Sequence, residues 1–367
     1  MSALAKRQQE GDGYNPCAMR VNGHFMRAEI EEQPAVLRRV AEREWEAIRQ
    51  AVERIQQAGV HYVLLAARGT SDNAAKYLQY LMQIENGLPC GLATPSVITL
   101  YRAQLNLQGC LVVGISQSGE APDVIEYVAH AREHGALTLS ITNNPQSPLA
   151  QASHLHLFVH AGEERSVAAT KTYTGTLSVL YLLSQALKQA GDAPDQLCAT
   201  AQLMEQALQQ ESRIQEAVDR YRYVRECVAL ARGINQATAE ETALKLIETC
   251  YVVCKAYSVA DFMHGPFALI ERGFPCLLFA PDGATFDTVY EAAVQLRAGG
   301  AETIIFARNP DILRLARTPI ELPADVPESV SPLVYIVLGQ LFAYHLALAR
   351  DLNPDQPRGL QKVTRTY

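Results

Sequence analysis

Apolar residues recur at helical spacing from Pro34 to Ala58, where Val36, Leu37, Val40, Trp45, Ile48, Val52 and Ile55 stand between charged positions. The spacing predicts one long amphipathic helix that ends at Gly59. Val60 to Ala67 is then continuously apolar, a buried strand, followed by the polar turn Arg68-Gly69-Thr70-Ser71-Asp72-Asn73 and a helix from Ala74 to Ile84. Further apolar runs at Leu111–Ile115, Ala136–Thr142 and Leu155–His160 alternate with helical segments. That alternation is the mark of an α/β protein whose parallel sheet is covered by helices on both faces.

The pattern occurs twice. Leu65-Ala66-Ala67-Arg68-Gly69 returns as Leu230-Ala231-Arg232-Gly233, and at that offset the strand before Ser116 falls on Pro275 to Ala280, with Gly119 on Gly283. The strand ending at Asn143 matches Thr303 to Asn309 within a couple of residues. Three matched elements predict two tandem α/β domains of one fold, joined through the helical stretch Gln196 to Val218. Met1 to Gly23 is polar and aperiodic and reads as an arm.

The segment that carries chemistry is Cys110-Leu111-Val112-Val113-Gly114-Ile115-Ser116-Gln117-Ser118-Gly119-Glu120-Ala121-Pro122-Asp123, a strand, a polar turn and the start of a helix from Val124 to His134. Free backbone N–H groups at such a terminus, with Ser116, Ser118 and the Gln117 amide, supply donors to an oxyanion such as a phosphate monoester. No Lys follows Gly119, so a nucleotide triphosphate loop is not indicated. The same residue types also cap ordinary turns. In the second copy the matching turn is Ala280-Pro281-Asp282-Gly283, where a carboxylate repels phosphate and Pro281 removes a donor, so one phosphate site per chain is expected.

Composition narrows the class. With 48% hydrophobic and 19% charged residues, the 367-residue chain belongs with globular proteins of about two domains, and a net charge of −7 argues against nucleic acid as a partner. No apolar run approaching about 18 residues is evident, and Met1 to Glu10 lacks an apolar signal core, so no membrane segment and a cytoplasmic location are expected. Cys90, Cys110, Cys227, Cys250 and Cys276 sit in or beside apolar runs, and Cys250 and Cys254 have no His close by, so reduced thiols and no metal or other cofactor are expected.

Three further segments have both a bland and a functional reading. Glu241, Lys245 and Glu248 lie four and three apart on one helical face, which by itself reads as a solvated ion-pair face. His264 precedes Gly265-Pro266 in an apolar segment and reads as a packed histidine. The chain closes on Asp355 to Tyr367, polar and extended after the apolar helix Val334 to Leu348, as a fraying tail would.

Taken in order, Ser116-Gln117-Ser118-Gly119-Glu120, Ala169-Thr170-Lys171, Ala243-Leu244-Lys245-Leu246 with Glu248, His264-Gly265-Pro266, and Asp355-Gln356-Pro357-Arg358 with Lys362 resemble the tandem sugar isomerase (SIS) module of the glutamine:fructose-6-phosphate amidotransferase family. The resemblance implies two flavodoxin-like SIS domains, residues 29–195 and 196–352, between an arm at 1–28 and an active-site tail at 353–367. It also implies that Ser71, Ser116, Gln117 and Ser118 hold a sugar phosphate, and that Thr70 and the backbone near Val167 line the sugar. Glu248 would move a proton between C1 and C2, His264 would assist ring opening, Lys245 would support the polar chain, and Lys362 would reach the carbonyl carbon. A homodimer with shared sites is implied as well.

Two positions depart from the family pattern: Ala121 replaces a Thr, and Arg68 replaces a Cys before Gly-Thr-Ser. No glutaminase domain precedes the first strand in this sequence. The expectation is therefore a protein resembling stand-alone isomerase-type glucosamine-6-phosphate deaminases. Galactosamine 6-phosphate and fructosamine 6-phosphates are alternative substrates, and a non-catalytic sugar-phosphate sensor is the alternative of another class.

Overall fold

The computed structural model describes residues 23–362. Residues 1–22 of the arm and the last five residues of the tail, 363–367, lie outside the described residues. Among the described residues ten strands form two sheets: β1 (Tyr62–Ala66), β2 (Cys90–Leu92), β3 (Cys110–Ile115), β4 (Leu137–Thr142) and β5 (Leu155–Phe158), then β6 (Glu226–Ala231), β7 (Val253–Ser258), β8 (Pro275–Ala280), β9 (Glu302–Ala307) and β10 (Thr318–Glu321). The strand orders are β2-β1-β3-β4-β5 and β10-β9-β8-β6-β7. Renumbered within its own domain, the second sheet repeats the 2-1-3-4-5 order of the first, the flavodoxin-like arrangement.

Every ladder is parallel; Leu64 pairs with Val112 in the first sheet and Leu230 with Leu278 in the second. All six residues of β3 are buried, as a central strand covered on both faces must be. The repeat is confirmed at the turns. Gly69 and Gly233, which follow the matched strands, have φ of 54° and 63°. Gly69 has ψ −130°, a combination open only to glycine.

The helix predicted from Pro34 to Ala58 is two helices, Gln33–Arg43 and Trp45–Gln57. Glu44 breaks it because its buried carboxylate turns inward: one oxygen accepts from Phe158 N at 2.8 Å and the other lies 2.6 Å from His160 Nε2, just beyond β5. The helix after β1 begins at Thr70 rather than Ala74, so Thr70 and Ser71 occupy its first turn. Another helix, His24–Glu31, starts inside the stretch assigned to the arm. Asp355 caps it, its carboxylate accepting from Phe25 N at 3.2 Å and Met26 N at 2.8 Å.

One core runs continuously through both domains. The helices Lys171–Leu187 and Ser331–Ala349 are buried along nearly their whole length, and Ala193–Leu208 packs on the second of them and on Gln33–Arg43. Contrary to the expectation of no long apolar run, the 22-residue segment Glu328–Ala349 is long and apolar enough to cross a membrane. Its most apolar 18-residue stretch is 89% buried within the fold, because the helix packs against helices of both domains. Burial pushes the thiols of Cys250 and Cys276 up to about 12, which leaves them as small hydrophobes.

Candidate functional site

At the carboxyl ends of β1 and β3 a cavity of about 440 Å³ opens between the domains. Arg68, Thr70, Ser71, Ser116, Gln117, Ser118, Val167, Glu248 and Lys362 all line it. Nine of the ten residues expected at a site therefore take part in one constellation, eight of them on this wall and Lys245 directly behind it.

The phosphate loop is shaped by its own hydroxyls. Ser116 Oγ accepts from Gly119 N at 3.1 Å and Ser118 Oγ from Glu120 N at 3.2 Å, so each hydroxyl keeps its own proton for a ligand. Gly119 has φ 69°, and a Cβ there would sit 2.2 Å from Ser147 Oγ. The backbone can turn here only with glycine. Pro122 opens the following helix, Pro122–Glu133, and Ala121 at its N-cap provides no side-chain hydrogen bond.

In the second domain the equivalent turn is filled. Glu328 Oε2 accepts from Ala284 N at 3.0 Å and lies 2.5 Å from where a Cβ of Gly283 would be, while Asp282 faces Arg308 at 3.7 Å. Two carboxylates occupy the place of an anion.

The other wall comes from the helix Gln236–Cys250. Glu241, Lys245 and Glu248 are not a solvated face: the first two side chains are 0% exposed and Glu248 is 22% exposed. Lys245 Nζ lies 3.2 Å from Glu241 Oε1 and 2.6 Å from Glu248 Oε2, and donates to Thr70 Oγ1 at 3.3 Å. Burial by itself depresses the Lys245 ammonium, but the two carboxylates outweigh it and raise the group above its ordinary value. Burial raises Glu241 in turn, against the pull of Lys245 and the amide of Asn73, which donates to Oε2 at 2.8 Å. Glu241 thus bridges the domains behind the cavity, and Glu248 alone of the three reaches its surface.

The tail closes the remaining side. Lys362 Nζ donates to Glu164 Oε2 at 2.6 Å and to Ser166 O at 2.8 Å. Glu164 is fully buried and also accepts from Thr170 N, Thr172 N and Thr172 Oγ1 at 2.9, 3.0 and 2.6 Å. Burial would raise this carboxyl, yet Lys362 and the threonine donors hold it below its ordinary value. Val167 N donates to Asp355 O at 3.1 Å, so the sugar-side loop and the tail are tied together. Lys171 is buried and paired with Glu32 at 2.7 Å.

His264 stands apart. It is exposed at the end of the helix Val259–Met263, neither packed in the core nor lining the cavity of its own chain.

Sequence reasoning missed Glu164 and Asp123. Glu164 lies in the polar run Gly162-Glu163-Glu164-Arg165 with no distinguishing spacing. Asp123 looks like any acidic residue in a first helical turn, though its oxygen lies 2.7 Å from Arg68 Nε.

The sequence matches the SIS domain family over residues 58–186 and 223–350. The chain belongs to the SIS domain family. It carries two SIS domains in tandem, as the paired sheets show. It is 35% identical over 349 residues to a glutamine–fructose-6-phosphate aminotransferase [isomerizing] of Thermococcus kodakarensis, covering 92% of this chain and 57% of that protein. The corresponding protein of Methanothermobacter thermautotrophicus is 35% identical over 341 residues, with the same shares covered. The chain thus spans 57% of the length of these curated relatives.

Among solved structures, the C-terminal domain of glucosamine-fructose-6-phosphate aminotransferase from Francisella tularensis superposes with a TM-score of 0.83 at 26% identity, over 95% of this chain and 100% of that one. A glucosamine-6-phosphate deaminase from Thermotoga maritima shares the fold, with a TM-score of 0.75 at 21% identity over 93% of this chain and 100% of that one.

Proposed function

We propose that this SIS protein is an amino-sugar phosphate isomerase and deaminase that converts glucosamine 6-phosphate and water to fructose 6-phosphate and ammonia. The observation that carries the reading is that the Ser116-Gln117-Ser118 loop and the Glu248 carboxylate face one cavity of about 440 Å³. A phosphate held at the loop places the far end of a six-carbon sugar toward Glu248. The names of the relatives, which include fructose-6-phosphate aminotransferases and a glucosamine-6-phosphate deaminase, support the same substrate class.

Each residue has a distinct task. Ser71, Ser116, Gln117 and Ser118 bind the phosphate, and Thr70 and the backbone at Val167 border the sugar. Glu248 takes the proton from C2 of the open-chain aldose and returns it to C1, so the C2 amine becomes an imine. Water adds at C2 and ammonia leaves, giving the ketose. Lys245, 2.6 Å from Glu248 Oε2, fixes that carboxylate in place. Lys362 brings an ammonium to the cavity rim, where it can steady negative charge developing on the carbonyl oxygen. His264 assists ring opening in the site of a second copy, in a homodimer with shared sites; its exposure away from its own cavity supports this placement.

A coupled assay for ammonia and fructose 6-phosphate across glucosamine 6-phosphate, galactosamine 6-phosphate and fructosamine 6-phosphates tests the reading. Release from glucosamine 6-phosphate is expected. Preference for another member of the panel reassigns the substrate, and binding without release or proton exchange leaves a sensor.

A further inference from the structure

The donors of the phosphate loop itself carry no formal charge, and Ala121 adds none. The cavity wall nevertheless holds a cation outside that loop. Arg68 lines it, and its Nε donates to Asp123 Oδ2 at 2.7 Å, with side-chain exposures of 50% for Arg68 and 4% for Asp123. Asp123 sits in the first turn of the helix that the Ser116–Gly119 loop opens, and its other oxygen accepts from Val124 N at 2.9 Å. The carboxylate is therefore buried and immobilised, and it holds the guanidinium by one nitrogen. Among the described residues no other group hydrogen-bonds the Arg68 guanidinium, which is half exposed and lines the cavity, with Asp72 within electrostatic reach.

A guanidinium is planar and permanently charged, and its paired donors match two oxygens of a phosphate. Asp123 borders the cavity too, but its side chain is only 4% exposed against 50% for Arg68, and its two oxygens are engaged by Arg68 Nε and Val124 N. The solvent-facing guanidinium, not the engaged carboxylate, is therefore the group that offers hydrogen-bond donors and positive charge to an anion.

We propose that Arg68, positioned by Asp123, is the cationic ligand of the substrate phosphate and makes the cavity select a dianionic phosphate monoester. This rests on the assignment of the Ser116-Gln117-Ser118 loop to phosphate given above. Arg68 is then a binding residue and Asp123 a positioning residue.

The test is calorimetric titration of the full chain with inorganic phosphate, glucosamine 6-phosphate and glucosamine, at low and high salt. Wild type is compared with Arg68→Ala, Arg68→Lys, Asp123→Asn and Ser116→Ala, with melting temperatures recorded alongside. Arg68→Ala is expected to weaken both phosphate-bearing probes about 10- to 100-fold and flatten the salt dependence, with Arg68→Lys recovering part of the loss. Asp123→Asn should weaken the same probes by less. Should Arg68→Ala fail to fold, Arg68→Gln is read in its place.

Unchanged affinity on loss of Arg68, with Ser116→Ala still weakened, overturns the role of Arg68 and leaves the phosphate loop standing. Wild type that prefers glucosamine to its phosphate, or binds neither phosphate probe, overturns the loop assignment and this inference together.

Discussion

Lys362 Nζ donates to Glu164 Oε2 at 2.6 Å across 198 residues of chain, and this contact decides where the tail lies. Glu164 cannot serve as a spare carboxylate, because it is fully buried and its other donors all come from Thr170 and Thr172. The pair is a latch between the loop after β5 and the C-terminal segment that roofs the cavity.

Acid should open that latch. The folded-state value of Glu164 lies below its ordinary 4.5, so its contribution to stability is present above about pH 4.5 and is lost as pH falls through the lower, folded value. Glu29 and Glu241 are raised by burial and act in the opposite sense, so the wild-type curve alone is a mixture. Comparing Glu164→Gln with wild type isolates the contribution of Glu164. The melting temperature of wild type should fall more steeply than that of the variant below pH 4.5, and parallel curves would show that Glu164 is not the linked group.

Loss of hydroxyl donors should weaken binding. Ser116→Ala and Ser118→Ala each remove a donor to a charged ligand, worth about 1.5–3 kcal/mol. KM should rise roughly tenfold or more with kcat less affected. An unchanged KM in both variants would put the phosphate elsewhere.

Glu248→Gln keeps the shape of the side chain and removes the base. The rate should drop by roughly 10²–10⁴-fold while glucosamine 6-phosphate still binds. Wild type held with fructose 6-phosphate in deuterated water should take up deuterium at C1, and the variant should not. Equal labelling in both would assign proton transfer to another group.

The exposed position of His264 leads to a complementation experiment. Glu248→Gln and His264→Ala chains, each inactive alone, should recover part of the activity when mixed, because a hybrid dimer contains one site with both groups intact. Hybrids shown by mass to form, yet inactive, would place His264 outside the chemistry.

Much of this architecture is local and could be read along the chain. Continuous apolar runs such as Cys110–Ile115 mark strands buried on both faces, and Gly69, Gly119 and Gly233 mark turns whose positive φ excludes other residues. Because those signals recur at a fixed offset, the tandem repeat, and the serine turn in only one copy, follow from the sequence alone. Polar residues carry no such local label. Whether Glu44 faces solvent or turns in beyond β5, and whether Glu241 and Lys245 form a surface pair or a buried bridge to Thr70 and Asn73, depends on what packs against them. The Asp355 cap on Phe25 spans 330 residues, and the Lys362 latch has no sequence spacing at all. A charge or hydrogen bond acts through space rather than along the chain, so the partners of Arg68, Glu164 and Lys362 were decided only when the two domains and the tail closed on one cavity.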